Sequence, residues 1–167
     1  MKKKISQTAV HEAGHVVIGH ILGIKHKSVT IEVEQHEFGL TAGYVRYYHR
    51  PAIFKVYIGE DTAPKRTVIR KIENFVKAYL AGPLSEGKFV GKHTQEQISG
   101  YKLDFENSAR YAKNAFGDQG DKELIRLLNE TENLVSQNWR KIKAFATILE
   151  KARTLNGTQL LNILNEL

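Results

Sequence analysis

The segment His11-Glu12-Ala13-Gly14-His15 carries the residue types and spacing of a hydrolytic metal centre. An α-helix turns about 100° per residue, so side chains four apart differ by about 40° and project from one face. On such a helix His11 and His15 offer two imidazole nitrogens to one Zn²⁺, whose bonds to histidine are about 2.0–2.1 Å long. Glu12 falls on the neighbouring face, beside the metal. A carboxylate there can take a proton from water held at the metal and return it to the leaving amine of a peptide. With this number of histidines and glutamates, the pattern is expected by chance only about 0.02 times. That favours a metal site over an accidental pair of structural histidines. Gly14 costs a helix about 1 kcal/mol relative to alanine, which calls for a steric reason; close packing against another helix is the plain alternative.

A catalytic zinc takes three protein ligands and leaves a fourth position open. The chain contains no cysteine, so the third ligand must be a carboxylate or another histidine. Four aspartates (Asp61, Asp104, Asp118 and Asp121), 14 glutamates and five further histidines are available, and spacing alone does not choose among them. Asp104 has the best local context, at the start of a helical stretch that follows Gly100. An aspartate there also has a plain role beside a helix N-terminus. His20, His26, His36, His49 and His93 show no partner spacing and read as ordinary surface or buried histidines. His20 lies about 140° round the helix from His15 and is no fourth ligand.

The elements that must position these groups can be traced by periodicity. Residues 6–22 read as a helix, with Ser6 as N-cap, Gly23 at its end and Val10, Ala13, Val17 and Ile21 as a core stripe. Residues 28–34 and 40–48 alternate as two strands that can pair. Thr62 and Pro64 open a second helix running to about Leu80, with Val68, Ile72, Phe75, Val76 and Tyr79 as its apolar positions. A third helix spans Leu103–Phe116. The stretch Gly117–Asp121 marks a break, and residues 121–153 form one or two helices carrying Leu124, Leu127, Trp139, Ile142, Phe145 and Leu149. Thr158 is the expected cap of a last helix ending near Leu167. The expected class is mostly α with a small β-sheet near the N-terminus (α+β): a zincin-like helix followed by a helical bundle. It forms a single domain over 1–167, with a zinc-site part at 1–116 and a helical part at 117–167.

Taken in order, HEAGHVVIGHILG, VTIEVEQHEFGLTAGY, YLAGPLSEGKFVG and SGYKLDFENSARYAKNAFG resemble the peptidase domain of the FtsH-type zinc metalloproteases. The similarity covers nearly the whole chain. It implies a zinc metalloendopeptidase with His11, His15 and Asp104 as metal ligands and Glu12 as the catalytic carboxylate. It implies that Gly39, Leu40, Thr41, Ala42 and Gly43 belong to a sheet edge that binds an extended peptide substrate, a plain β-hairpin being the alternative. Glu86 stands at an acidic position of the family segment, as a partner of a zinc-bound histidine or as a solvated glutamate at a helix end. Two departures are visible in that segment: Pro83 replaces the family's arginine, and Gly87 replaces its second acidic residue. The sequence shows neither a membrane anchor nor a GxxxxGK[ST] phosphate loop. Any ATP-driven unfolding of substrate is therefore left to a separate ATPase or regulatory partner. Residues 47–63 read as an elaboration over the cleft.

Composition sets the remaining bounds. A chain of 167 residues with 41% hydrophobic and 26% charged residues is ordinary for a folded globular domain. No run of 18 apolar residues occurs, and His11, Glu12, His15 and His20 interrupt what would otherwise look like a signal peptide. The expectation is a soluble, cytoplasmic protein with a mobile, solvated Lys2–Lys4 terminus. The net charge of +7 first suggests nucleic acid. Tyr44, Tyr47 and Tyr48 with Arg46 and Arg50 could imitate a basic-aromatic strip, but acidic residues are mixed throughout and no nucleic-acid signature occurs, so no nucleic-acid partner is expected. Two further readings use the same scaffold: a narrow regulatory peptidase that cleaves one partner, and a catalytically inactive domain that binds a peptide or partner.

Overall fold

The structure, a computed structural model, describes residues 5–36, 39–49, 63–91 and 102–167. In chain order the elements are α1 (Gln7–Ile21), β1 (His26–His36), β2 (Gly39–Tyr47), α2 (Ala63–Val90) and α3 (Lys102–Phe116). A 3₁₀ turn (Gly117–Gln119) then leads to α4 (Gly120–Gln137), α5 (Trp139–Ala152), β3 (Thr154–Asn156) and α6 (Gly157–Glu166). The class is the expected one: mostly α, with one small antiparallel sheet in the order β2-β1-β3. Among the described residues no helix is long and apolar enough to cross a membrane.

Helix α1 begins and ends where its sequence signals place it. Ser6 Oγ accepts the Ala9 N–H at 3.2 Å. At the other end Gly23 takes φ +78°. There Ile24 N–H reaches Gly19 O at 2.8 Å and Gly23 N–H reaches His20 O at 2.9 Å, the paired bonds of a left-handed helix stop. The expected narrow stripe is corrected. Every residue from Ala9 to Gly19 is buried, because the sheet, α2 and α5 surround the helix; Ile21, placed in the stripe, is instead exposed. The fully buried Val10, Val16, Val17 and Ile18 each contribute about 1.5–3 kcal/mol of transfer free energy.

Helix α2 also departs from expectation, running ten residues past Leu80 to Val90 with Pro83 inside it. An interior proline removes one N–H bond and crowds the preceding turn, at about 3 kcal/mol. Burial of Leu80, Ala81, Leu84 and Ser85 offsets this, because these residues form the face that α2 packs on α1. The stretch 121–153 resolves into two helices broken at Asn138, whose side-chain N–H donates to Leu134 O at 2.9 Å. Strand β3 was not expected. Its three residues are too few for a periodic pattern, yet Leu155 is buried and pairs with Val29. Because β3 ends on Asn156, the cap of α6 is Asn156 and not Thr158: Asn156 Oδ1 accepts Gln159 N–H at 3.1 Å and Gln159 Oε1 accepts Asn156 N–H at 2.9 Å.

The two expected strands pair antiparallel, and a bulge sets their shape. Between the pairs Thr30↔Tyr44 and Val33↔Ala42, β1 places Ile31 and Glu32 opposite Gly43 alone. Arg153, at φ +67°, closes the bulge from the end of α5. Its carbonyl accepts Ile31 N–H at 2.9 Å, and its Nε donates to Glu32 Oε1 at 2.8 Å. A bulge bends its strand and sharpens the local twist. Here Gly43, at φ +88°, packs directly against α1.

Candidate metal centre

Three elements bring the chemical groups together. Helix α1 supplies His11, Glu12 and His15, all buried. Helix α3 supplies Asp104 from its first turn, and α2 supplies Glu86 and the Ala78 carbonyl. His11 Nε2 lies 3.0 Å from His15 Nε2 and 3.1 Å from Asp104 Oδ2, and His15 Nε2 lies 3.4 Å from the same oxygen. Among the described residues this is the group of metal-ligating side chains that converges. The pattern-based choice among the carboxylates therefore falls on Asp104, brought in from 93 residues away.

The outer partners decide which way the imidazoles face. His15 Nδ1 is 2.7 Å from Ala78 O, and a carbonyl can only accept, so Nδ1 carries the proton and Nε2 presents its lone pair. His11 Nδ1–H donates to Glu86 Oε2 at 3.1 Å, which directs its Nε2 inward in the same way. Glu86 is thus buried and tied to His11 rather than solvated. Two nitrogen lone pairs and a carboxylate oxygen then converge on one point, and such a set requires a cation among its members. A proton on His11 satisfies it, and so does a divalent metal. Ligand atoms bonded tetrahedrally at about 2.0–2.1 Å are separated by about 3.3–3.4 Å. The three spacings, 3.0, 3.1 and 3.4 Å, are close to that edge length. Nitrogen and carboxylate oxygen are also the donor types zinc accepts, so the residues present fit the ion.

Electrostatics follow from the crowding. Burial works against a charged His11, but hydrogen bonds to Asp104 and Glu86 and the charge of Glu12 hold its proton more tightly than usual. Burial likewise works against the Asp104 carboxylate, yet His15 and His11 keep it well below the usual range. Glu12 moves the other way. Burial raises its pKa, the carboxylates of Asp104 and Glu86 add to the effect, and the two histidines only partly oppose it. A buried carboxylate with raised proton affinity is better suited than a solvated one to taking and returning a proton.

Strand β2 runs beside this carboxylate. A Cβ on Gly43 would come within 2.8 Å of Glu12 Oε1 and 2.7 Å of Thr8 Cγ2, and the φ of +88° there favours glycine, so the strand lies close against this carboxylate. The expected substrate-binding residues Gly39, Leu40, Thr41, Ala42 and Gly43 all lie in β2, at the edge of the sheet. The side chains of Leu40, Thr41 and Ala42 lie outside the described residues, as do His93 and nearly all of the segment 47–63. A cavity of about 740 Å³ near Leu22, Ile24, Lys71 and Phe75 sits beyond the C-terminal end of α1, away from the converging ligands.

Sequence reasoning missed three supports of the site. The Ala78 carbonyl has no side-chain signal at all. Gly82, one helical turn on, packs against His15. Glu150 on α5 is buried, and its Oε2 accepts the Ser6 N–H at 3.0 Å and the Ser6 hydroxyl at 2.6 Å, anchoring the start of α1. Its signal was a charged residue on the face that carries Ile142, Phe145, Ala146 and Leu149, all buried.

His26, read as an ordinary histidine, is buried with no hydrogen-bond partner for Nε2 and fills the notch left by Gly19. Burial, with the neighbouring imidazoles of His20 and His15, lowers its pKa to about 4. Above its unfolded value of about 6.5 it is neutral in both states. Between there and about pH 4 only the unfolded chain takes up the proton, so stability falls as pH falls. The loss expected over that window is roughly 3 kcal/mol. Urea unfolding of metal-free protein at pH 7 and pH 4.5 should show a smaller acid loss for His26→Phe than for the wild type; equal losses would refute the assignment.

No protein-family model matches the chain, and no curated protein matches it.

Proposed function

We propose that the chain is a zinc-dependent peptidase of FtsH-like type, with His11, His15 and Asp104 holding the metal and Glu12 acting as general base and acid. The observation that carries this reading is the convergence of His11 Nε2, His15 Nε2 and Asp104 Oδ2 within 3.4 Å, beside a buried carboxylate that is not one of the three. Bound zinc supplies Lewis acidity toward a peptide carbonyl and toward water. Glu12 takes the proton that water gives up and returns it to the departing amine. Glu86 and the Ala78 carbonyl hold the imidazoles in the tautomer that leaves Nε2 inward. Among the described residues the outer edge of β2 pairs with no strand, and it offers an extended peptide main-chain hydrogen bonds beside Glu12. A protein or peptide substrate suits that edge, with a separate ATPase or regulatory partner delivering folded substrates. A chain without cysteine loses nothing in a reducing compartment, and the reading places it in the cytoplasm.

The test is metal content together with cleavage of a quenched-fluorescent peptide library. About one zinc per chain is expected, with cleavage stopped by a chelator and restored by added zinc. A chain that takes up no zinc, or cleavage indifferent to chelation, would overturn the proposal.

A further inference from the structure

We propose that Gly82 is a positioning residue for the metal centre: its missing side chain creates the space in which the His15 imidazole lies. The inference rests on the reading of His15 as a metal ligand and goes beyond it by naming what fixes the ring. A Cβ built on Gly82 would fall 2.5 Å from His15 Cε1 and 2.7 Å from Cδ2, and nearer still to Nε2. A point in the ring plane that close to Cε1, beyond Nε2, would be at covalent distance from Nε2. The backbone of α2 at Gly82 therefore lies over the ring face, at its Nε2 edge. Ala78 and Gly82 are one turn apart on α2 and act on the same ring. The Ala78 carbonyl fixes its Nδ1 end at 2.7 Å, and Gly82 limits its tilt.

The size of the effect follows from geometry. Carbon atoms in ordinary contact stand about 3.5–4.0 Å apart, so an alanine at 82 must displace the ring by about 1 Å. Zinc sites tolerate about 0.2 Å in their bond lengths. The ring cannot yield by that amount and keep both its Ala78 bond and its place 3.0 Å from His11 Nε2. Gly19 is the internal control. A Cβ there would meet the buried His26 ring, with Nε2 at 2.6 Å and Cε1 at 2.9 Å, and the next nearest atom, Ala78 Cβ, stands at 3.8 Å, so the clash is comparable but falls away from the His15 imidazole.

The experiment uses the full chain stripped of metal. Zinc affinity is read by competition with a chromophoric chelator, and unfolding of the metal-free protein by urea. Gly82→Ala is expected to weaken zinc binding about 100-fold or more, and Gly19→Ala to weaken it far less at comparable loss of stability. Wild-type affinity in Gly82→Ala, or equal losses in the two variants, would overturn the proposal. The double variant His15→Ala/Gly82→Ala covers the case in which an alanine variant does not fold. The destabilisation caused by Gly82→Ala should largely vanish once the ring is gone; if it persists in full, the clash is not with His15 and the proposal fails. Absence of zinc uptake by the wild type would instead refute the metal reading, while the stability cycle would still decide whether Gly82 makes room for His15.

Discussion

Glu12→Gln is expected to bind zinc as tightly as the wild type and to lose peptide cleavage by about 10³-fold or more, within the range of a missing general base. The substitution keeps the shape that, with Thr8, packs against Gly43, so the approach of β2 is preserved. It does not touch the three converging atoms, because Glu12 is not among them. What it removes is the capacity to accept a proton. A second consequence follows from burial. The raised pKa of Glu12 means that the fold disfavours its charge, first through desolvation and then through Asp104 and Glu86. A neutral amide of equal size relieves that cost, so the metal-free variant should be as stable as the wild type at pH 7, or more so. Steady-state cleavage with equilibrium zinc binding and urea unfolding tests all three statements. Cleavage at the wild-type rate would remove Glu12 from the chemistry, and zinc loss would make it a ligand.

The legible parts of this chain are those whose physics is local. The spacing of His11, Glu12 and His15 is a property of one helix, as are the Ser6 cap and the Gly23 stop, and all stand as read. Asp104 was one carboxylate among many until the ordered segments singled it out, because its approach to α1 depends on how α3 docks against α2. Where tertiary packing overrides a local rule, the reading failed. Pro83 should end a helix but lies inside α2, since the burial of Ala81, Leu84 and Ser85 against α1 outweighs one lost bond. A one-sided α1 was expected, yet three neighbouring elements enclose it. Strand β3 exists only because Leu155 completes the core beside Val29. The C-terminal stretch, which reads as a separate helical part, supplies Glu150 at the α1 cap and Arg153 at the β1 bulge. Both contacts span more than 120 residues, and no periodicity in the sequence carries such information.

Asp104→Ala should lose what Glu12→Gln keeps. In the proposed zinc site, removing the Asp104 carboxylate leaves His11 and His15 with their Nε2 atoms 3.0 Å apart and no third donor, a pair that binds zinc weakly. Partners one step removed from the metal cost about 10–100-fold when lost, so a direct ligand should cost about 10³-fold or more, about 4 kcal/mol. Thermal unfolding gives an independent measure. Zinc at a thousand times its dissociation constant should stabilise the wild type by about 4 kcal/mol and leave Asp104→Ala almost unmoved. The metal-free variant should also be less stable than the metal-free wild type. Asp104 is held below its ordinary range by His15 and His11, so its charge contributes to the fold at neutral pH. Asp104→Asn separates the two roles. It keeps a donor oxygen of the same reach but not the charge, and should recover part of the zinc affinity and little of the ionic stabilisation. Undiminished zinc uptake by Asp104→Ala would transfer the third ligand to a glutamate. Glu86 would then be the first to test, because it already contacts His11 at 3.1 Å and would have to exchange that bond for the metal.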